Sequence, residues 1–306
     1  MATIPTFPEF TVLSSSHKAA YNEFISKFPP HADLSFGNLM VWWSLAKEVE
    51  VSMLNGNIVI RYTNPFSSED HLFYTLAGTT QVANSLDRLF DYQISLQEPP
   101  QSILTPDFLV ESIEDPSKYT IIPDEDNWDY ILSTEMHATL ADSSLSRTRR
   151  KVRRFQREAG NVEVKPIDLT SIKNKLMLTQ TTRGWENAFP VHNNETNQEV
   201  FALDKVLLLA ELVDLRCLAV FVDDKLEGYS LYRYLPQSEY CVVSHIKESK
   251  HYPHIFDFIT HAVATTVHEE GIKFMNFEQD LGLPGLRFHK QGLRPVTMLK
   301  KYTVSP

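Results

Sequence analysis

The chain has 306 residues, 42% hydrophobic and 22% charged, which supplies a substantial core with no need of disulfides or metal. That length exceeds the size at which a single core stops growing, so two domains are expected. A net charge of −10 excludes a surface generally coated for nucleic acid.

Two cysteines, Cys217 and Cys241, match no metal or redox spacing and read as buried thiols in a reducing compartment. The opening "MATIPTFPEF" lacks the basic and apolar regions of a secretory signal. No apolar run reaches the ~18 residues of a membrane helix. The longest, "VLLLAELV", contains Glu211. A cytoplasmic protein able to visit a membrane surface is expected.

In chain order, "FGNLMVW" and Trp43 bring together Phe36, Trp42 and Trp43, an aromatic cluster that reads as core. "VEVSML" and "NIVIRYT" flank Asn55-Gly56, the signature of a type I′ hairpin. "HLFYTLAG" is a third strand. "TTQVANSLDRLFDYQ" is a helix, with Val82, Leu86, Leu89 and Phe90 on one face. A strand falls between Gln93 and Leu104, Thr105-Pro106 opens a short helix through Ile113, and "KYTIIP" is a strand.

Past the acidic loop "PDEDN", "RTRRKVRRFQR" places seven cations and no acid in eleven residues. A helix over Ser144–Ala159 gives them an apolar stripe of Leu145, Val152, Phe155 and Ala159. The element fits a solvated amphipathic helix, or a face that grips anions such as RNA phosphates or an anionic lipid surface. Arg183-Gly184-Trp185-Glu186 then precedes the polar loop "VHNNETNQE"; Trp185 and Glu186 fit either packing or the lining of a substrate pocket.

The second half repeats the order of the first. "CLAVFV", "LEGYSLYRYL" and "EYCVVSHI" form an antiparallel meander, turning at Asp223-Asp224-Lys225 and at Pro236, Gln237 and Ser238. A helix follows from Pro253 to the stop at Gly271, then the strand "IKFMNFEQ", a helix over Pro284–Gly292, and "PVTMLKKYTV" as the last strand. His254, His261 and His268 recur every seven residues, a spacing that suits an exposed helix edge and no metal.

A meander followed by α-β-α-β is the core order of the GNAT acyltransferase fold. The stretch "NFEQDLGLPGLRFHKQGLRP" with "LKKY" resembles the signature of the phosphatidylglycerol lysyltransferase C-terminal-domain family. "FGNLMVW", "WDYILSTEMHATL" and the basic helix resemble further landmarks of that family in matching order. The resemblance implies an α/β (α+β) protein of two tandem GNAT-like domains, over residues 1–125 and 126–306. Each has a mixed, mostly antiparallel sheet flanked by helices, and the second carries the site.

The signature stretch suggests chemistry. With Met275–Gln279 as a strand, Glu278 and Asp280 point to one side. Gly282 and Gly285 allow a reversal, and Arg287 and Lys290 share a helix face. Arg287, Lys290 and the nearby Arg294 fit the holding of a phosphate or carboxylate, with Glu278 or Asp280 accepting a proton from an attacking amine or hydroxyl, or else a structural strand–turn–helix whose acids cap the helix and whose cations are solvated. In CoA-dependent GNAT enzymes a tyrosine on this helix protonates the leaving thiolate; its place is taken here by Phe288, and Tyr302 is the substitute. The junction "KESKHYPHIF" lacks the glycines a pyrophosphate loop requires, although Lys247, Lys250 and His251 would attract an anion.

The resemblance implies an aminoacyl-tRNA donor. Its phosphates would lie on Arg149, Arg150, Arg153 and Arg154, and its amino acid would pass to a lipid or another amine or hydroxyl acceptor with no resident cofactor. Acyl-CoA with a small amine is the alternative, and a non-catalytic anion-binding module the second.

Overall fold

The computed structural model describes residues 3–42, 48–63, 72–187 and 203–306. Its strands are β1 (Thr11–Val12), β2 (Glu50–Leu54), β3 (Asn57–Thr63), β4 (Leu72–Ala77), β5 (Ser102–Pro106), β6 (Thr120–Pro123) and β7 (Asp129–Ser133). They continue as β8 (Val162–Pro166), β9 (Arg216–Val222), β10 (Lys225–Tyr234), β11 (Tyr240–Glu248), β12 (Phe274–Asn276), β13 (Thr297–Leu299) and β14 (Lys301–Ser305). Trp43 and the loop "VHNNETNQE" lie outside the described residues.

Two compact units result. One comprises Met1–Asp129, Gln279–Arg287 and Met298–Pro306; the other comprises Tyr130–Glu278 and Phe288–Thr297.

In the first unit β1 to β4 run in spatial order as an antiparallel sheet. Asn55 and Gly56 both have positive φ, 52° and 83°, as the type I′ turn between β2 and β3 requires. A second sheet, β5-β14-β6, takes its central strand from the end of the chain. "PVTMLKKYTV" is therefore two strands, not the single last strand of the second repeat, and β14 completes the first unit. Between β4 and β5 side chains bridge: Leu76 N–H donates to Ser102 Oγ at 3.1 Å, and Thr75 Oγ1 to the Ile103 carbonyl at 2.8 Å. Beneath them Asp33, Leu34, Leu39, Ile60, Tyr62, Thr75 and Leu104 line a small pocket.

Lys301, fully buried on β14, pairs with Asp33 and, at 2.7 Å, with Asp129. Burial opposes its charge, but the charges of Asp129 and Asp33 overcome that and raise its pKa. Asp129 also accepts the Ala32 N–H at 2.7 Å.

In the second unit the strands run in the order β7-β12-β11-β10-β9-β8. Asp223 and Asp224, at φ 48° and 65°, close the β9–β10 hairpin. The Ile255–Glu269 helix buries Ile255, Phe258, Ile259, Val263 and Val267. It comes so close to the sheet that a Cβ on Gly228 would stand 2.5 Å from Ile259 Cδ1. The helix starts at Ile255, after His254 in a left-handed conformation, rather than at Pro253.

β11 and β12 are parallel and pair only at Tyr240–Phe274, Cys241–Met275 and Val242–Asn276. β11 then continues to Glu248, while β12 stops. This early parting makes the end of β12 the place to look for chemistry.

Candidate functional site

The strand expected to reach Gln279 ends at Asn276, and the reason is local. The buried Asn276 side chain accepts the Glu278 N–H through Oδ1 at 2.8 Å, which draws the chain out of the ladder. Glu278 adopts φ 56°, a conformation that costs a side-chain-bearing residue energy and recurs at functional sites. Its carbonyl accepts the Tyr130 N–H at 3.2 Å, and Phe277 N–H donates to the Tyr130 carbonyl at 2.9 Å. Glu278 is half-buried.

Two buried cations stand on β10 and β11, of which β11 adjoins β12. Arg233 of β10 is 4% exposed and donates through Nη1 to Ser244 Oγ of β11 at 2.8 Å. Burial pulls its guanidinium down to about 10, against the charge of Glu278, so it remains charged at neutral pH. Burial, then Lys247 and Arg233, pushes the His245 imidazole down to about 3, so that ring is neutral. Lys247 is buried too. The charge of the buried Arg233 is felt at Glu278 and suits the stabilisation of negative charge developing there, while the half-buried Glu278 carboxylate is the group able to accept a proton.

Sequence reasoning reached Glu278 and Lys247 but missed Arg233, Ser244 and His245. The available signal was a lone cation within the aromatic strand "YSLYRYL".

The remaining signature residues take other places. Asp280, in the first unit, is fully buried. Its oxygens accept from Arg287 Nε and Nη2, both at 2.9 Å, and from the Gly282 N–H at 2.9 Å. Arg287 Nη2 also meets Asp126 at 2.6 Å. The guanidinium expected to hold substrate thus holds this turn together, and Asp280 acts as its anchor. Lys290, in the second unit, is 9% exposed and donates to the Phe277 carbonyl at 2.6 Å. Arg294 is exposed. Tyr302 lies on β14 in the first unit; burial, then Asp107 and Glu111, raises its pKa. The side chains of Trp185 and Glu186 lie outside the described residues.

At the β11–helix junction two backbone donors are taken up within the chain. Ser249 N–H donates to the Glu227 carbonyl at 2.6 Å and His251 N–H to Ser249 Oγ at 3.4 Å. Lys250 pairs with Glu248 at 3.0 Å and His251 with Glu227 at 2.9 Å. A pyrophosphate cradle needs such donors available.

The basic helix, Ser146–Glu158, buries Thr148, Val152 and Phe155. Arg147, Arg150, Arg153, Arg154 and Arg157 are exposed. Arg154 and Arg157 pair with Glu158, at 3.0 and 3.2 Å. Lys151 pairs with Asp257 at 2.9 Å, and Arg149 caps the Leu140 carbonyl at 2.5 Å. Among the described residues Arg147, Arg150 and Arg153 enter no ion pair. No cluster of His, Cys, Asp and Glu among the described residues has the makings of a metal site, and no helix among them is long and apolar enough to cross a membrane.

Two units, each with antiparallel-dominated strands flanked by helices and β11 and β12 parting after three pairs, define a tandem GNAT-like protein. The tandem GNAT protein of the clavulanic acid pathway matches it with a TM-score of 0.52 at 8% identity, over 97% of this chain and 98% of that one. The chain belongs to the family described as phosphatidylglycerol lysyltransferase, C-terminal, whose model matches residues 28–305. A conserved protein of unknown function from Bacteroides thetaiotaomicron has a TM-score of 0.83 at 22% identity, covering 97% of this chain and 98% of its own. L-PGS from Bacillus licheniformis has a TM-score of 0.61 at 12% identity, covering 99% and 94%. Comparison with curated proteins finds no match. Family and fold together support an acyltransferase-like protein.

Proposed function

We propose that this protein moves an amino acid from aminoacyl-tRNA to a hydroxyl or amine of a lipid or similar acceptor, working from the cytosol. The observation that carries the reading is Glu278. It is pinned in a left-handed conformation where β12 ends, held there by the Asn276 side chain, and its charge acts on the buried Arg233 of β10.

Glu278 takes the proton of the acceptor O–H or N–H as that atom attacks the aminoacyl ester carbonyl. The acceptor–carbonyl bond forms, the ester C–O bond to the tRNA ribose breaks, and the proton passes to the ribose oxygen. Arg233 stabilises Glu278 as the carboxylate and the negative charge that develops during attack. Holding donor and acceptor in line supplies much of the rate. Arg147, Arg150 and Arg153 face outward on the basic helix and suit the phosphates of the donor.

The test offers labelled aminoacyl-tRNAs and, in parallel, labelled acetyl-CoA, each with vesicles containing phosphatidylglycerol. Label passing from tRNA to lipid supports the proposal. Transfer from acetyl-CoA alone, with a saturable thermal shift, replaces it with the CoA reading. A protein inert toward both donors that still binds anions is the non-catalytic module.

A further inference from the structure

We infer that Asn276 and Lys290 are positioning residues that hold Glu278 in its working conformation; this rests on Glu278 being the proton acceptor proposed above.

The left-handed region is disfavoured for a residue with a Cβ, so Glu278 does not rest at φ 56° of its own accord. Two side chains hold the Phe277–Glu278 peptide, one at its N–H and one at its carbonyl. Asn276, fully buried, takes up the Glu278 N–H at 2.8 Å. Lys290 reaches from the Pro284–Gly292 helix and donates its ammonium to the carbonyl of Phe277, the residue just before Glu278, at 2.6 Å. That ammonium stands 5.8 Å from the centre of the Tyr130 ring. Tyr130 in turn exchanges two backbone bonds with Phe277 and Glu278.

A lysine 9% exposed gives up most of its hydration, a cost that a solvated surface lysine avoids. Here the charge fixes the peptide that carries the base. Lys290, read from sequence as a grip on substrate, therefore acts through Glu278. A base displaced by about 1 Å from the proton it accepts loses on the order of 100-fold in rate.

The experiment measures transfer from aminoacyl-tRNA to phosphatidylglycerol vesicles for N276A, N276D, K290M, K290R, E278Q and the doubles N276A/E278Q and K290M/E278Q. N276A and K290M should lower kcat about ten- to hundredfold, with KM within about twofold. N276D keeps the accepting oxygen and K290R keeps a donor, so both should recover much of the loss. Neither double should fall below E278Q alone, because the singles act through the same group. Amide exchange at Glu278 should accelerate at least about tenfold in N276A.

Losses that add to that of E278Q, or a change confined to KM, overturn the positioning role and leave the base intact. A fully active E278Q overturns the reading of Glu278 itself, and the positioning role goes with it. Should K290M fail to fold, the N276A and N276D pair decides alone.

Discussion

Arg287 clasps Asp280 with both prongs of its guanidinium, Nε to one oxygen and Nη2 to the other, each at 2.9 Å. The carboxylate is fully buried, whereas the arginine side chain is 35% exposed. Asp280 also accepts the Gly282 N–H, so it stabilises the turn leading into the Pro284–Gly292 helix. A carboxylate held by two charge-assisted bonds is a poor proton acceptor. Arg287→Met should lower the melting temperature by several degrees, since it leaves a buried charge without its partner. Asp280→Asn should retain transfer activity wherever it remains folded; differential scanning fluorimetry with the transfer assay checks both.

The Lys301 cluster makes a related prediction in the first unit. Lys301→Met leaves Asp33 and Asp129 buried without their shared cation, at a cost of about 3–5 kcal/mol. The triple substitution D33N/D129N/K301M removes the charges together and should be less destabilising than Lys301→Met alone. Urea unfolding of the two variants measures the difference.

The basic helix should bind RNA by charge. R147E/R150E/R153E reverses three outward arginines that enter no ion pair among the described residues and leaves the buried Val152 and Phe155 in place. Binding of tRNA should weaken, and the slope of log K against log salt should fall by about 2–3. Unchanged tRNA binding would remove this helix from donor recognition.

His137 gives the stability a pH dependence. Burial, opposed by its bond to the Leu293 carbonyl and aided by His261, pulls its imidazole down to about 4. Its Nε2 meets that carbonyl at 2.9 Å. Between pH of about 6.5 and about 4 the unfolded chain binds a proton that the folded one does not. Stability contributed by the neutral ring is therefore present above about pH 6.5 and lost as pH falls through that window, by on the order of 3 kcal/mol. His137→Gln should flatten this part of the pH–stability curve, measured by urea unfolding at a series of pH values.

Much of the fold was legible because local chemistry determines it. Asn55-Gly56 demanded a type I′ hairpin, and Pro284 and Gly292 bound a helix where the sequence placed one. Strand pattern carries no information on which sheet a strand joins, so nothing in "KKYTV" announced that β14 would pair with β5 and β6. At the site, alternation along an assumed strand put Glu278 and Asp280 side by side. One side-chain bond from Asn276 ended the strand, leaving Glu278 in the second unit and Asp280 in the first. Arg233 was hidden for the opposite reason: it sits within a strand the sequence reads correctly, where only its burial shows that its charge matters.

The most direct test is single-turnover transfer by Glu278→Gln, a near-isosteric change that removes the proton-accepting carboxylate. With tRNA binding and melting temperature held at wild-type values, the account predicts a rate lower by about 100-fold or more. A wild-type rate in that variant would contradict it.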